Sequence, residues 1–93
     1  MNYLIKPYTK RKAKQLNVYV RSSTKKGKKI DIYNKKWEYI TSVGAEGYAD
    51  YPTFMQYYGK RYADEKRRLY KLRHEKDRKV KYSRGWWADQ LLW

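Results

Sequence analysis

The chain has 93 residues, enough for one small domain that buries only about 60% of its unfolded surface, so every large apolar side chain must contribute. Those side chains are aromatic rather than aliphatic, with twelve Tyr, four Trp and one Phe, and 24 Lys or Arg against nine Asp or Glu give a formal charge of +15. A sequence without Cys excludes a disulfide framework, a thiolate metal site and a thiol nucleophile, and no apolar run approaches the roughly 20 residues of a membrane span.

The first 30 residues hold ten Lys or Arg and no acid, whereas the other 63 hold fourteen basic and nine acidic residues. Such a density repels itself unless an anion neutralises it. Nucleic acid is the first candidate, with an acidic protein surface or anionic lipid behind it. Residues 1 to 15 make a basic N-terminal arm carrying Lys6, Lys10, Arg11, Lys12 and Lys14, with no apolar periodicity after Tyr8. Two readings fit the arm: a disordered tail, or a segment ordered by the partner it grips. Its short apolar start followed by basic residues reverses a secretory signal, so a soluble intracellular protein is expected.

Residues 16 to 93 read as a single small α+β domain. "LNVYVRSS" alternates Leu16, Val18 and Val20 against Asn17, Tyr19 and Arg21; "KKIDIYN" sets Ile30 and Ile32 against Asp31 and Tyr33; "KKWEYITSVG" sets Trp37, Tyr39 and Thr41 against Glu38 and Ile40. A tight turn at Asn34-Lys35 places Ile32 opposite Trp37 and Ile30 opposite Tyr39, which predicts a three-stranded antiparallel meander. Tyr19, Arg21, Lys29 and Tyr33 then occupy its solvent face. The loop "SSTKKGKKI" gathers Lys25, Lys26, Lys28 and Lys29 around Gly27. It is either a solvated turn or a phosphate-gripping finger, in which lysine reads charge and no base sequence.

Asp50 followed by Pro52 marks a helix start, predicting a short helix from Pro52 to Tyr58 that Gly59 ends or kinks. Phe54, Tyr58 and Tyr62 keep one face across that glycine. The tyrosines of "GYADYPTFMQYYGKRY" are expected mostly in the core, with a base-stacking platform or interface anchors as the other roles. A long helix is predicted from Lys60 to about Lys79, with Tyr62, Leu69, Tyr70 and Leu72 on one face and Lys60, Arg67, Arg68, Lys71 and His74 on the other. Asp64 and Glu65 are spaced to pair with the cations three or four positions on.

The closing "SRGWWADQLLW" predicts a helix over residues 84 to 93, with Trp87, Ala88, Leu91 and Leu92 facing the core. Trp86 and Trp93, beside Asp89 and Gln90, are left without an obvious partner in the chain. With Tyr3 and Tyr8 they are the expected protein-interface residues. The expected sites for nucleic acid or another anion are Lys6, Lys10, Arg11, Lys12, Lys14, Arg21, Lys25, Lys26, Lys28, Lys29, Arg67, Arg68 and Lys71. His74 is the single histidine and has no companion ligands or nucleophile in its neighbourhood of sequence, so no enzyme, cofactor, metal or small-molecule substrate is expected.

The succession of "VYV", "KKGKK", "IYN", "GYADYPTF", "RRLYKLRHEKD" and "SRGWWADQLLW" resembles a family of small basic proteins of unknown function encoded by large DNA viruses and some phages. The resemblance covers residues 16 to 93. Its motifs are Gly-x-x-Asp-Tyr at Gly47, Asp50 and Tyr51; Arg-x-x-Tyr-x-x-Arg-His at Arg67, Tyr70, Arg73 and His74; and the closing Trp86, Trp87, Leu91, Leu92 and Trp93. Pro52 departs from the threonine of many relatives. The resemblance implies a viral origin and narrows the partners to packaged genome, capsid or other virion proteins, or the replication machinery. On that basis the chain is expected in the virion, and inside the host cell during infection, as a minor capsid or cementing protein. The rivals are a free nucleic-acid-binding protein acting in replication or transcription, and a ribosome-associated RNA binder.

Overall fold

Helix α1, Pro7–Gln15, begins the first element of a computed structural model that describes residues 3 to 93. Pro7 stands in its first turn, where a missing N–H costs nothing. Thr9 and Ala13, one turn apart, are buried, while Pro7, Lys10, Arg11 and Lys14 form the exposed stripe. The C-terminus closes by a Schellman motif: Val18 N donates to Ala13 O at 3.0 Å and Asn17 N to Lys14 O at 3.2 Å, with Asn17 left-handed at φ 59°. The basic arm is therefore an ordered helix over most of its length, not a tail. Leu16 and Asn17, expected in the first strand, belong to its cap.

The sheet comprises β1 (Tyr19–Ser22), β2 (Lys28–Tyr33) and β3 (Tyr39–Ala45), antiparallel in the order β1-β2-β3, which is the expected meander. Its register differs from the expected one. Ile32 pairs with Thr41 and Ile30 with Val43, four residues further along β3 than a two-residue turn would allow. The turn runs from Asn34 to Glu38 because the Asn34 side chain accepts from the amides of Lys36 and Glu38, both at 2.9 Å, and its carbonyl accepts from Trp37 N at 2.9 Å. Between the Tyr33–Tyr39 and Ile32–Thr41 pairs, Ile40 is the extra residue of a β-bulge. Ile30, Ile32 and Val43 are fully buried on one face. Trp37 and Tyr39 consequently leave the apolar face to which the tight turn had assigned them.

The described chain is α+β and divides into two compact units, Met1–Tyr48 and Ala49–Trp93. In the second, α2 (Tyr51–Tyr58) starts on Asp50, whose carboxylate accepts from Thr53 N at 3.1 Å and Thr53 Oγ1 at 2.6 Å. Gly59, at φ 87°, turns the chain into α3 (Lys60–Arg73). That helix stops short of Lys79. Arg78 Nε donates to Lys71 O at 3.1 Å, satisfying a last-turn carbonyl, and a 3-10 turn follows at Asp77–Lys79. Helix α4, Arg84–Leu92, is capped by Ser83, which accepts from Trp86 N at 3.2 Å. At Gly85 a Cβ would stand 3.1 Å from Asp77 O, so any other residue would push the 3-10 turn back by a few tenths of an ångström.

Tyr51, Pro52, Ala63, Tyr70, Trp87, Leu91 and Leu92 are the buried apolar residues of this unit. Tyr57, Tyr58 and Tyr62 are exposed, as is Tyr48 at the end of the first unit, so most of that tyrosine cluster is surface rather than core. Trp93 is not unpartnered: it stacks on Tyr70 at 4.2 Å and 7°, and its ring lies 6.1 Å from Phe54. Trp86 meets Trp87 edge-on at 4.8 Å and Tyr82 at 5.1 Å. Asp89, placed outward by the sequence reading, is buried and accepts from Lys71 Nζ at 2.7 Å.

Candidate nucleic-acid interface

Strand alternation and the bulge bring Tyr19, Tyr33 and Tyr39 into one row across the sheet, on the face opposite Ile30 and Ile32. Trp37 lies over this row. Its indole stacks on Tyr19 at 4.2 Å and 9° and lies 5.6 Å from Tyr33, while Tyr33 meets Tyr39 at 6.0 Å. Trp37 is 53% exposed and Tyr39 46%. Lys35 Nζ stands 4.1 Å from the centroid of Tyr19 and Lys25 Nζ 4.4 Å from that of Tyr39. Lys25 comes from the β1–β2 hairpin and Lys35 from the β2–β3 turn, so cations reach the rings from both ends of the sheet.

A directed hydrogen-bond chain fixes Tyr39. Lys25 Nζ donates to Tyr39 Oη at 2.7 Å, and Ser42 Oγ donates to the acceptor-only Asp31 carboxylate, so the Tyr39 hydroxyl must donate to Ser42 across 2.7 Å. Ser23 Oγ adds a second donor to Asp31 at 2.6 Å. Burial pushes the Asp31 carboxyl up, but the Ser23 and Ser42 hydroxyls, the Thr24 amide and the Lys25 charge together hold it below the ordinary carboxylate value. The bond donated by Lys25 lowers the Tyr39 phenol. One of the three acidic residues of the first unit is thus buried beneath the rings instead of neutralising its surface.

The residues predicted to meet an anion separate into groups. Lys10, Arg11 and Lys14 share the exposed stripe of α1, and Arg21, Lys25 and Lys26 are exposed around β1 and its hairpin, with Lys28 half-buried at the start of β2. Lys6 Nζ lies 4.4 Å from the centroid of Tyr3 and 3.2 Å from Leu4 O, and Lys12 Nζ lies 5.9 Å from that of Tyr8. Lys29 is only 5% exposed, with its ammonium 5.2 Å from the Tyr3 centroid, and is not part of an open sheet face. Tyr3 and Tyr8 are both half-buried, with the Tyr3 carbonyl accepting from Ser22 Oγ.

The three predicted cations of α3 are already engaged. Arg67 pairs with Asp64 at 3.4 Å and lies 4.0 Å over the Tyr51 ring, Arg68 pairs with Glu65 at 2.6 Å, and Lys71 with Asp89 at 2.7 Å. A groove lined by Arg67, Arg68, Lys71 and Arg78 also contains Asp64 and Glu75, which offset half of its positive charge in place. His74 Nδ1 lies 3.0 Å from Asp77 Oδ2. Among the described residues no cluster of three or more His, Cys, Asp or Glu is arranged to hold a metal ion, and no helix is long and apolar enough to cross a membrane.

Sequence reasoning missed Trp37, Tyr39 and Lys35 as surface groups. The signal was Asn34: an asparagine whose side chain can organise the next four residues predicts a longer turn and hence the opposite face for Trp37. No protein-family model, curated protein or solved structure matches the chain.

Proposed function

We propose that this is a non-enzymatic nucleic-acid-binding protein of a virus, and that its first unit holds the phosphate backbone. The observation that carries the reading is the uncompensated charge of that unit, twelve Lys or Arg against Asp31, Glu38 and Glu46, with Asp31 buried. The second unit has twelve basic residues against six acidic ones and spends several of them on internal pairs. Phosphate contacts of this kind give affinity that falls steeply with salt and carry no base sequence. The viral setting rests on the resemblance of residues 16 to 93.

The test is a salt series of anisotropy titrations on duplex DNA, comparing the wild type with the variant carrying Lys10→Ala, Arg11→Ala and Lys14→Ala. Three lost phosphate contacts flatten the log–log slope by about 2 to 3. An unchanged slope would assign the α1 stripe to a protein partner.

A second reading, a minor capsid or cementing role in the virion, is favoured by the exposed Val80 and Tyr82 beside half-buried Trp86. Mass spectrometry of purified particles decides it: the reading requires the chain at stoichiometric abundance and fails without it.

A further inference from the structure

We infer that the Trp37–Tyr39 face is a stacking shelf for the unpaired bases of a single-stranded nucleic acid. This rests on the nucleic-acid reading and deepens it by naming the form of the polymer. Four observations converge. The first is openness: Trp37 and Tyr39 are large rings about half exposed on a sheet whose other face is closed. Parallel stacking of Trp37 on Tyr19, with the Lys35 ammonium 4.1 Å from the same centroid, occupies Tyr19 and makes the indole the outermost ring.

The second is cost. Trp37 adopts φ 62°, a region a bulky side chain rarely enters, and the Asn34 bonds to Trp37, Lys36 and Glu38 hold it there. A solvated turn has no use for an indole in that place. The third is rigidity: the Lys25–Tyr39–Ser42–Asp31 chain fixes the second ring, so the shelf is formed before anything binds.

The fourth is charge. Lys25 and Lys35 approach the rings from opposite ends of the sheet, and Arg21 is exposed on the same face, next in line after Tyr19. Rings flanked by cations suit a polyanion with flat apolar faces of its own, rather than the apolar side chains of a protein. Only unpaired bases offer those faces, because in a duplex each is covered by its neighbours. The exposed rings of Tyr57 and Tyr58 in α2 lack this combination of strain, tethering and flanking charge.

The experiment uses the full chain with unlabelled and fluorescein-labelled 15-mers as single-stranded DNA, single-stranded RNA and duplex DNA, over a salt series, with Trp37→Ala, Trp37→Phe and Tyr39→Ala variants checked for folding by circular dichroism. The wild type is expected to prefer single strands. Trp37→Ala is expected to weaken single-strand binding about 5- to 100-fold with the salt slope and duplex affinity unchanged, and Trp37→Phe to restore most of it. The DNA and RNA arms show which polymer the shelf favours. Single-strand affinity untouched by Trp37→Ala, alongside intact salt-dependent binding, overturns the shelf and leaves the nucleic-acid reading standing. Absence of salt-dependent binding to all three polymers overturns that reading itself.

Discussion

Trp37 shows how one residue's backbone can run against its own preference. The left-handed region costs a residue with a Cβ roughly 1–2 kcal/mol, and Trp37 occupies it at φ 62°. The stack on Tyr19 returns about 0.5–1.5 kcal/mol. Replacing the residue by glycine removes both terms, so Trp37→Gly is expected to change folding stability by less than about 1 kcal/mol in urea titrations. Asn34→Ala is different, because it strips a shared acceptor from the amides of Lys36 and Glu38 and should cost about 1–2 kcal/mol. If Trp37→Gly proved the more damaging, the indole rather than Asn34 would be holding the turn. Propensity could not have revealed this, since tryptophan favours strands and the alternation of Trp37, Tyr39 and Thr41 fits a strand well. The preference is overruled by a hydrogen-bonding side chain three residues earlier.

At the scale of elements, starts were easier to read than stops. Asp50 with Pro52 marked α2, Gly59 marked the break, and the contacts of Phe54 with Tyr58 at 6.3 Å and Tyr62 at 5.5 Å follow from their spacing. Helix α1 escaped notice because it buries only Thr9 and Ala13, too small to register as an apolar stripe. The end of α3 escaped for the opposite reason: "HEKD" is acceptable to a helix, and the stop is made by a long-reaching Arg78. The α3–α4 pair of Lys71 and Asp89 lay beyond any local rule, its partners being 18 residues apart. The Asp89 side chain is 6% exposed and the Lys71 side chain 33%. Lys71→Met therefore strands a buried carboxylate and is expected to cost about 1–3 kcal/mol, less than a fully enclosed pair because the lysine is partly solvated. Asp89→Asn, which leaves only a solvent-reachable ammonium behind, should cost less. Denaturant midpoints of the two variants give the order, and equal losses would mean that Lys71 contributes packing rather than charge.

For the whole molecule, the excess of positive charge in the first third was plain from composition, and its concentration in the first unit follows from it. Which cations are free to act was only half legible: Asp64 and Glu65 announced their pairs by spacing, whereas the burial of Lys29 and Asp31 depended on the sheet. A chain at +15 repels itself, and salt relieves that repulsion as the Debye length shrinks from about 10 Å at 0.1 M to about 3 Å at 1 M. Salt also weakens the exposed pairs of α3, Lys60–Asp64 at 2.7 Å and Arg68–Glu65 at 2.6 Å, but solvent already screens such pairs and each contributes little. Repulsion outweighs them. The melting temperature of the free protein should thus rise with sodium chloride, by about 4–8 °C if the relief amounts to about 1 kcal/mol. If calorimetry resolves two transitions, the first unit, with nine uncompensated charges, should shift further than the second, with six. Nucleic acid at low salt supplies the same relief through its phosphates, so it should raise the melting temperature most where sodium chloride is scarcest. A melting temperature that falls with salt would show instead that the internal pairs dominate and that the surface charge is already balanced.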